Sequence, residues 1–542
     1  MSAILMNVFF FKCLFLFWHS FFFRPLIKSF GRTSSNIITF TNQVKYHKYP
    51  SLLHRSNLNH HTLIFDVEGA LLKSSSMFPY FMLVAFEAGG LLRAIVLILL
   101  YPFVCLVGDE MGLKIMVMIC FFGIKVENFR VGSAVLPKFF LEDVGSEMFE
   151  VLKRGAKKVG LSKLPRVMVE SFLKEYLEID VVVGREMKVL FGYYVGLMEE
   201  REKTMHALEL LVHEKKGFCS NIIGISGLHK NIDNEFFFSC CKEVYVVVEG
   251  DKKSWQKLPR DKYPKSLIFH DGRLALKPTP LDVLAILMWL PCGFIVAIIR
   301  IIVALSLSYN ILTPLLALSG FHLTISMPKS TNKYFNNKGD KPKGHLYVCN
   351  HRTLFDPLYI SFILRRDLVA VTYSLSKISE IFAPIKTVRL TRNRFKDAKM
   401  MKQLLQQGDI VVCPEGTTCR EKYLLRFSPL FSQMCDEIVP IAIDSHVSMF
   451  HGTTAGGFKC MDPIFFLLNP FPTYSVQLLE KVVPSYVTAC DNNEDARFEV
   501  ANRVQREIGK ALGFECTKLT RKDKYLILAG NEGIISSMKS GK

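Results

Sequence analysis

Val348-Cys349-Asn350-His351-Arg352-Thr353-Leu354-Phe355-Asp356-Pro357 runs from an apolar strand end through a polar turn to a proline, and it sets His351 five residues before Asp356. An alcohol that attacks an electrophile requires a base for its hydroxyl proton. An imidazole suits that task because its unperturbed pKa is about 6.5. A carboxylate on the other ring nitrogen fixes the tautomer and stabilises the imidazolium. Spacing alone decides little. With 14 His in the chain, an Asp at the fifth following position arises about once by chance. His61 and Asp66 share it, but an extended chain between them holds the two roughly 16 Å apart. The setting of the first pair carries the assignment.

Downstream, Ile410-Val411-Val412-Cys413 reads as a buried strand leading into Pro414-Glu415-Gly416-Thr417-Thr418. In such a turn Gly permits close backbone approach, and Thr hydroxyls with N–H groups can hold phosphate oxygens. Arg389, Arg392 and Arg394 cluster on one segment. Read as a strand, it puts Arg392 and Arg394 on one face, and a guanidinium can bind two phosphate oxygens. Ile438-Val439-Pro440-Ile441-Ala442-Ile443 is a further buried strand.

The whole chain has 542 residues, half of them hydrophobic, a formal net charge of +19 and a mean hydropathy of +0.23. The basic balance suits an anionic membrane and a phosphorylated substrate. No zinc-finger, basic-zipper or aromatic RNA-binding pattern is present, which speaks against nucleic acid. The 14 Cys form no C-x-x-C pair, so free thiols in a reducing compartment are expected, with the catalytic half facing the cytosol.

Residues 1–32 read as an uncleaved membrane anchor or targeting segment, because the basic residues Arg24, Lys28 and Arg32 follow the apolar run. The endoplasmic reticulum is the favoured compartment. A mitochondrial alternative rests on the lack of acidic residues before Asp66. Residues 60–275 read as an α/β domain carrying apolar helices at 81–125, with a helix around 138–155 and strands near 179–183, 221–226 and 243–248. Residues 281–325 form an apolar helical segment in which Arg300, Pro291 and Pro314 interrupt or kink the run. Either one tilted span or a shallow hairpin on the membrane face fits it. Residues 332–343 are a Lys-rich linker, and 344–528 form a second α/β domain.

Four blocks in order, Asn350-His351 to Asp356-Pro357, Leu390-Thr391-Arg392, Pro414-Glu415-Gly416-Thr417 and Val439-Pro440-Ile441, resemble the glycerolipid acyltransferase superfamily. The resemblance implies that His351 and Asp356 are catalytic. It also implies that Arg389, Arg392, Glu415, Gly416 and Thr417 bind the acceptor. Phe269-His270-Asp271-Gly272-Arg273-Leu274 and Thr417-Thr418-Cys419-Arg420-Glu421 extend the likeness to land-plant glycerol-3-phosphate acyltransferases over nearly the whole chain. That family implies acyl-CoA as co-substrate, no cofactor, the sn-2 hydroxyl of glycerol 3-phosphate as acceptor, and lysophosphatidic acid for membrane lipids or for cutin and suberin. Alternatives are lysophospholipid acylation, or a bifunctional acyltransferase and phosphatase giving 2-monoacylglycerol.

Phe65-Asp66-Val67-Glu68-Gly69-Ala70 resembles the first motif of haloacid dehalogenase-like phosphatases. In them a first Asp attacks phosphorus, a second protonates the leaving group, and Mg²⁺ sits on the first Asp and a later acidic pair. Here Glu68 replaces the second Asp, Ser162 matches the motif-two hydroxyl, and Asp233 alone matches the acidic pair beside Lys230. A longer side chain misplaces the proton donor, and Mg²⁺ wants oxygen ligands around it, usually including carboxylates. The expected architecture is therefore a haloacid dehalogenase-like Rossmannoid domain with little phosphatase activity, needing Mg²⁺ only if active. Membrane-associated helices and a glycerolipid acyltransferase α/β domain follow it.

Overall fold

The computed structural model describes residues 45–55, 58–199, 222–227, 241–307, 309–328, 344–372, 380, 383–391, 393–433, 437–457, 459–484 and 494–533. The anchor at 1–32, the linker at 332–343, Lys230, Asp233 and Arg392 lie outside them.

The first sheet comprises β1 (Lys45–Lys48), β2 (Thr62–Asp66), β3 (Lys157–Pro165), β4 (Val181–Arg185), β7 (Ile222–Gly227) and β8 (Glu243–Val247), in the order β1-β8-β7-β2-β3-β4, with the polar β1 at one edge. β2 pairs in parallel with both β3 and β7, and every residue of β2 and β7 is buried. Burial on both faces is what continuous apolar strands of a parallel sheet demand. A hairpin of β5 (Met187–Leu190) and β6 (Tyr193–Met198) stands outside this sheet.

Three helices follow β2: α1 (Phe78–Gly89), α2 (Leu91–Leu106) and α3 (Asp109–Phe121). They pack against one another, three helices where the apolar run suggested a pair. The expected single helix over 138–155 is instead α4 (Leu136–Leu141) and α5 (Ser146–Lys153). The turn between them is used for pairing. Lys73 N–H donates to the Asp143 carbonyl at 2.8 Å, Gly145 N–H donates to Leu71, and the Asp143 carboxylate accepts from Tyr80 at 2.7 Å. Tertiary partners outweigh local helix propensity there.

The second sheet comprises β9 (His322–Ser326), β10 (Leu346–Cys349), β11 (Leu368–Thr372), β12 (Lys386–Arg389), β13 (Asp409–Val412), β15 (Ile438–His446) and β16 (Thr473–Leu478). Its order is β12-β11-β13-β10-β15-β16-β9, and β15 pairs antiparallel with β16. A small pair, β14 (Tyr423–Leu424) with β17 (Glu515–Cys516), lies apart. β9 belongs to this sheet, so the second domain claims the end of the segment read as purely helical. The strand expected to carry Arg392 and Arg394 stops at Arg389, because Asn393 caps a helix that begins at Arg394.

Between the domains, α6 (Glu249–Ser254) is followed by an extended stretch and then by α7 (Pro280–Ser306) and α8 (Tyr309–Leu318). Thr279 opens α7 with a capping box: its side chain accepts from Asp282 N–H and the Asp282 carboxylate reaches back. Pro280 fits the first turn, where no N–H is needed. Neither Pro291 nor Arg300 breaks the 27-residue helix. Arg300 is only 1% exposed and donates to the carbonyls of Leu467, Asn469, Pro470 and Ser319. Trp289 Nε1 donates to the Leu468 carbonyl at 2.7 Å. One side of α7 is thus clamped to the second domain, while Phe294, Ile295, Ile298, Ile302 and Leu305 on it are exposed. Among the described residues α7 is the one helix long and apolar enough to cross a membrane.

Arg300→Met should leave those carbonyls unpaired and destabilise the protein by about 3 kcal/mol, at the upper end for an unsatisfied buried polar group. Thermal unfolding in detergent checks this; an unchanged midpoint would contradict it.

Candidate active site

β10 lies between β13 and β15, parallel to both, with Val348 opposite Val412 and Cys349 opposite Ile441. Ligands in parallel sheets bind beyond the carboxyl ends of the strands, where the strand order switches. His351 leaves β10 at that end and Cys413 leaves β13 beside it. Asn350 is fully buried and latches the turn to β15: its amide oxygen accepts from Ile443 N–H at 2.7 Å and its amide nitrogen donates to the Ile443 carbonyl at 2.8 Å.

Asp356 opens helix α9 (Asp356–Leu364) and has 0% exposure. A carboxylate in a first helical turn is favoured by the helix dipole. Its Oδ2 accepts from His351 Nδ1 at 2.8 Å and from Arg352 N–H at 2.7 Å. Its Oδ1 accepts from Thr353 N–H and Thr353 Oγ1, both at 3.0 Å, and from the Tyr474 hydroxyl. Nδ1 of His351 is thus held by the carboxylate.

The expected pair is therefore formed, and two partners that the spacing did not reveal complete it. Tyr474 comes from β16, more than a hundred residues downstream, and burial first, then the Asp356 charge, push its phenol well above the ordinary value. Cys413 is the other partner. One donor atom each from His351, Asp356 and Cys413 lie within 4.8 Å of one another. Burial disfavours the imidazolium, but the Cys413 thiolate and the Asp356 carboxylate outweigh it and raise His351 well above the usual imidazole range. Conversely the Cys349 thiol donating to it, opposed by burial and aided by His351, lowers Cys413. The three groups do not make a metal centre, because the Asp356 oxygens are already filled by five donor groups.

Glu415 does not face an open phosphate site. Its Oε1 accepts from His351 N–H at 2.7 Å and its Oε2 from Leu425 N–H at 2.8 Å. Burial lifts its carboxyl to about 7 against those two bonds. Glu415 is a strut that holds the turn at His351. Gly416 has φ +67°, a conformation that favours glycine, and a Cβ built there would meet open space. Thr417 and Thr418 are buried and share Lys524 from helix α10 (Arg521–Ala529), whose Nζ lies 3.3 Å from each hydroxyl. Arg389 sits on edge strand β12 in an ion pair with Glu380 at 2.8 Å, so it is not brought beside His351.

The segment Phe269–Leu274 joins the two domains. Asp271 accepts from Ala455 N–H at 3.0 Å and Gly456 N–H at 3.1 Å. His270 Nδ1 lies 3.1 Å from Glu421, which also pairs with Arg260. Burial first, then Lys138, depresses His270 to about 3, so it is neutral in this contact.

In the first domain Asp66, Glu68 and Ser162 do converge. Ser162 donates to Glu68, and Lys163 N–H donates to the other Glu68 oxygen at 3.1 Å. Burial, then Asp66, raises Glu68 to about 7. Lys252 on α6 is buried and donates to the Glu68 carbonyl at 2.9 Å. With an ammonium beside the carboxylates and both Glu68 oxygens engaged, the described residues do not fit a Mg²⁺ ion.

The family profile described as "Glycerol-3-phosphate acyltransferase RAM2-like, HAD-like domain" matches residues 62–247, and the one described as "Acyltransferase" matches residues 332–444. "Probable glycerol-3-phosphate acyltransferase 2" of Arabidopsis thaliana is 58% identical over 91% of this chain and 93% of its own length. "Glycerol-3-phosphate acyltransferase 1" of the same plant is 47% identical over 88% and 82%. "Glycerol-3-phosphate acyltransferase RAM2" of Petunia hybrida is 42% identical over 87% and 98%. With the dyad in place on one sheet and a haloacid dehalogenase-like fold before it, the chain belongs to the plant glycerol-3-phosphate acyltransferase family.

Proposed function

We propose that this chain transfers an acyl group from acyl-CoA to a hydroxyl of glycerol 3-phosphate, the sn-2 hydroxyl by family likeness, and releases lysophosphatidic acid. The observation that carries this reading is the 2.8 Å bond from His351 Nδ1 to the buried Asp356, which assigns Nε2 the reacting role. Nε2 takes the proton as the acceptor oxygen attacks the thioester carbonyl. Asp356 holds the imidazolium that results. As the tetrahedral adduct collapses, the C–S bond breaks and Nε2 returns the proton to the departing CoA thiolate. The open face of Gly416, the Thr417 hydroxyl and Arg392 are the acceptor-binding groups of this reading; Arg389, paired with Glu380 on the edge strand, is left out of it.

The exposed apolar residues of α7 and of α2, Leu92, Leu99 and Leu106 among them, support attachment to a bilayer. Arg300 ties α7 along the second domain, so α7 lies in the interface plane, with the acyltransferase domain on the cytosolic face of the endoplasmic reticulum. The first domain retains its fold without phosphatase activity, because Lys252 stands where a metal's charge would act.

His351→Ala and Asp356→Asn should each lower kcat by about 10³-fold or more, as loss of a general base or its orienting group does, with expression intact. Full turnover in His351→Ala would contradict the assignment. Because the Cys413 thiolate and Asp356, against burial, raise His351 above the usual imidazole range, kcat/KM should rise with pH as the imidazolium loses its proton. Removing the thiolate with Cys413→Ala should move this acidic limb to lower pH; a limb that stays put contradicts the coupling. Incubation with 2-lysophosphatidic acid and Mg²⁺ should release no phosphate. Release that Asp66→Ala abolishes would show an active first domain.

A further inference from the structure

Cys349 and Cys413 are free thiols whose sulfurs stand 3.5 Å apart. They end neighbouring parallel strands one position beyond the Val348–Val412 pair. Parallel strands lie about 4.8 Å apart, inside the Cα separation of roughly 4.4–6.8 Å that a disulfide accepts. Closing the bond needs the sulfurs to move from 3.5 Å to about 2.0 Å, within reach of side-chain rotation and a small strand shift. Cys349 is buried, whereas Cys413 is partly exposed and borders His351.

We propose that Cys413 and Cys349 form an oxidation site, in which a peroxide converts the pair to a disulfide and thereby switches off acyl transfer. Cys413 attacks one peroxide oxygen as the thiolate. An S–O bond forms, the O–O bond breaks, and the departing hydroxide takes a proton to become water. The sulfur is oxidised by two electrons and the peroxide reduced by two. Cys349 then attacks the Cys413 sulfenic acid. An S–S bond forms, the S–O bond breaks, and the leaving hydroxide takes the Cys349 proton as a second water. The two thiols are suited to unequal roles: Cys413 is lowered by its neighbours, while the bond to Cys413 and burial raise Cys349. The chemical step stands on the sulfur geometry alone; its effect on turnover rests on the proposed role of His351. Pulling Cys413 toward Cys349 removes its sulfur from His351 and displaces Pro414 and Glu415, whose carboxylate holds the His351 backbone at 2.7 Å.

The test treats the full chain in detergent with hydrogen peroxide, then maps disulfides by peptide mass spectrometry and measures turnover before and after dithiothreitol. The expected result is a 349–413 linkage together with a loss of activity on the order of 100-fold, the scale of a 1 Å misplacement, restored by dithiothreitol. In Cys349→Ala the linkage should be absent, and Cys413 should pass to sulfinic acid with a loss that dithiothreitol does not restore. If that variant fails to fold, the wild-type map decides. Linkage with undiminished turnover, reversible loss without linkage, or oxidation of exposed Cys292, Cys460 and Cys516 while the pair stays reduced would each overturn the proposal.

Discussion

The buried carboxylate of Asp356 is the constraint on which the second domain's site depends. It has no contact with water, so its charge must be met by donors, and an unmet one would cost several kcal/mol. Five donor groups converge on it from the 351–353 turn and from Tyr474. Meeting that demand curls the chain after β10, holds His351 through Nδ1 and draws β16 to the same carboxylate. Asn350 and Glu415 fix the same turn from β15 and from the turn after β13. The His351 ring is therefore held at a sheet end, the kind of positioning that the proposed proton transfer requires.

The first domain is tied into this arrangement by the extended stretch after α6. Arg260 and His270 grip Glu421, just beyond the threonine turn, and Asp271 grips the backbone at Ala455 and Gly456. The His270 and Asp271 contacts are buried or half-buried and would be costly to break singly, whereas Arg260 is exposed. The phosphatase-like fold consequently braces the acyltransferase turn at Glu421, a role independent of the chemistry at Asp66.

Much of this was legible in the sequence because it is local. The apolar runs at β2, β7, β10 and β13 announce buried strands, and His351 with Asp356 is a short-range pair that a helix start brings together. What was missed depends on strand order. Tyr474, Lys524, Lys252 and the Cys349–Cys413 contact join residues 60 to nearly 200 positions apart, and no periodicity encodes which edges meet. Glu415 reads like a ligand in sequence, yet two backbone N–H groups claim it. The helix expected across 138–155 fails at Asp143 because pairing with Lys73 and Tyr80 uses that turn. Arg300 looks like an interruption of an apolar helix, but four carbonyls around its guanidinium make it a clamp.

The most direct measurement is product analysis with the purified full chain, labelled glycerol 3-phosphate and an acyl-CoA, resolving regioisomers and dephosphorylated lipid. The account predicts 2-acyl lysophosphatidic acid with its phosphate retained. Monoacylglycerol as the main product, or no acylation of glycerol 3-phosphate while a lysophospholipid is acylated, would contradict it.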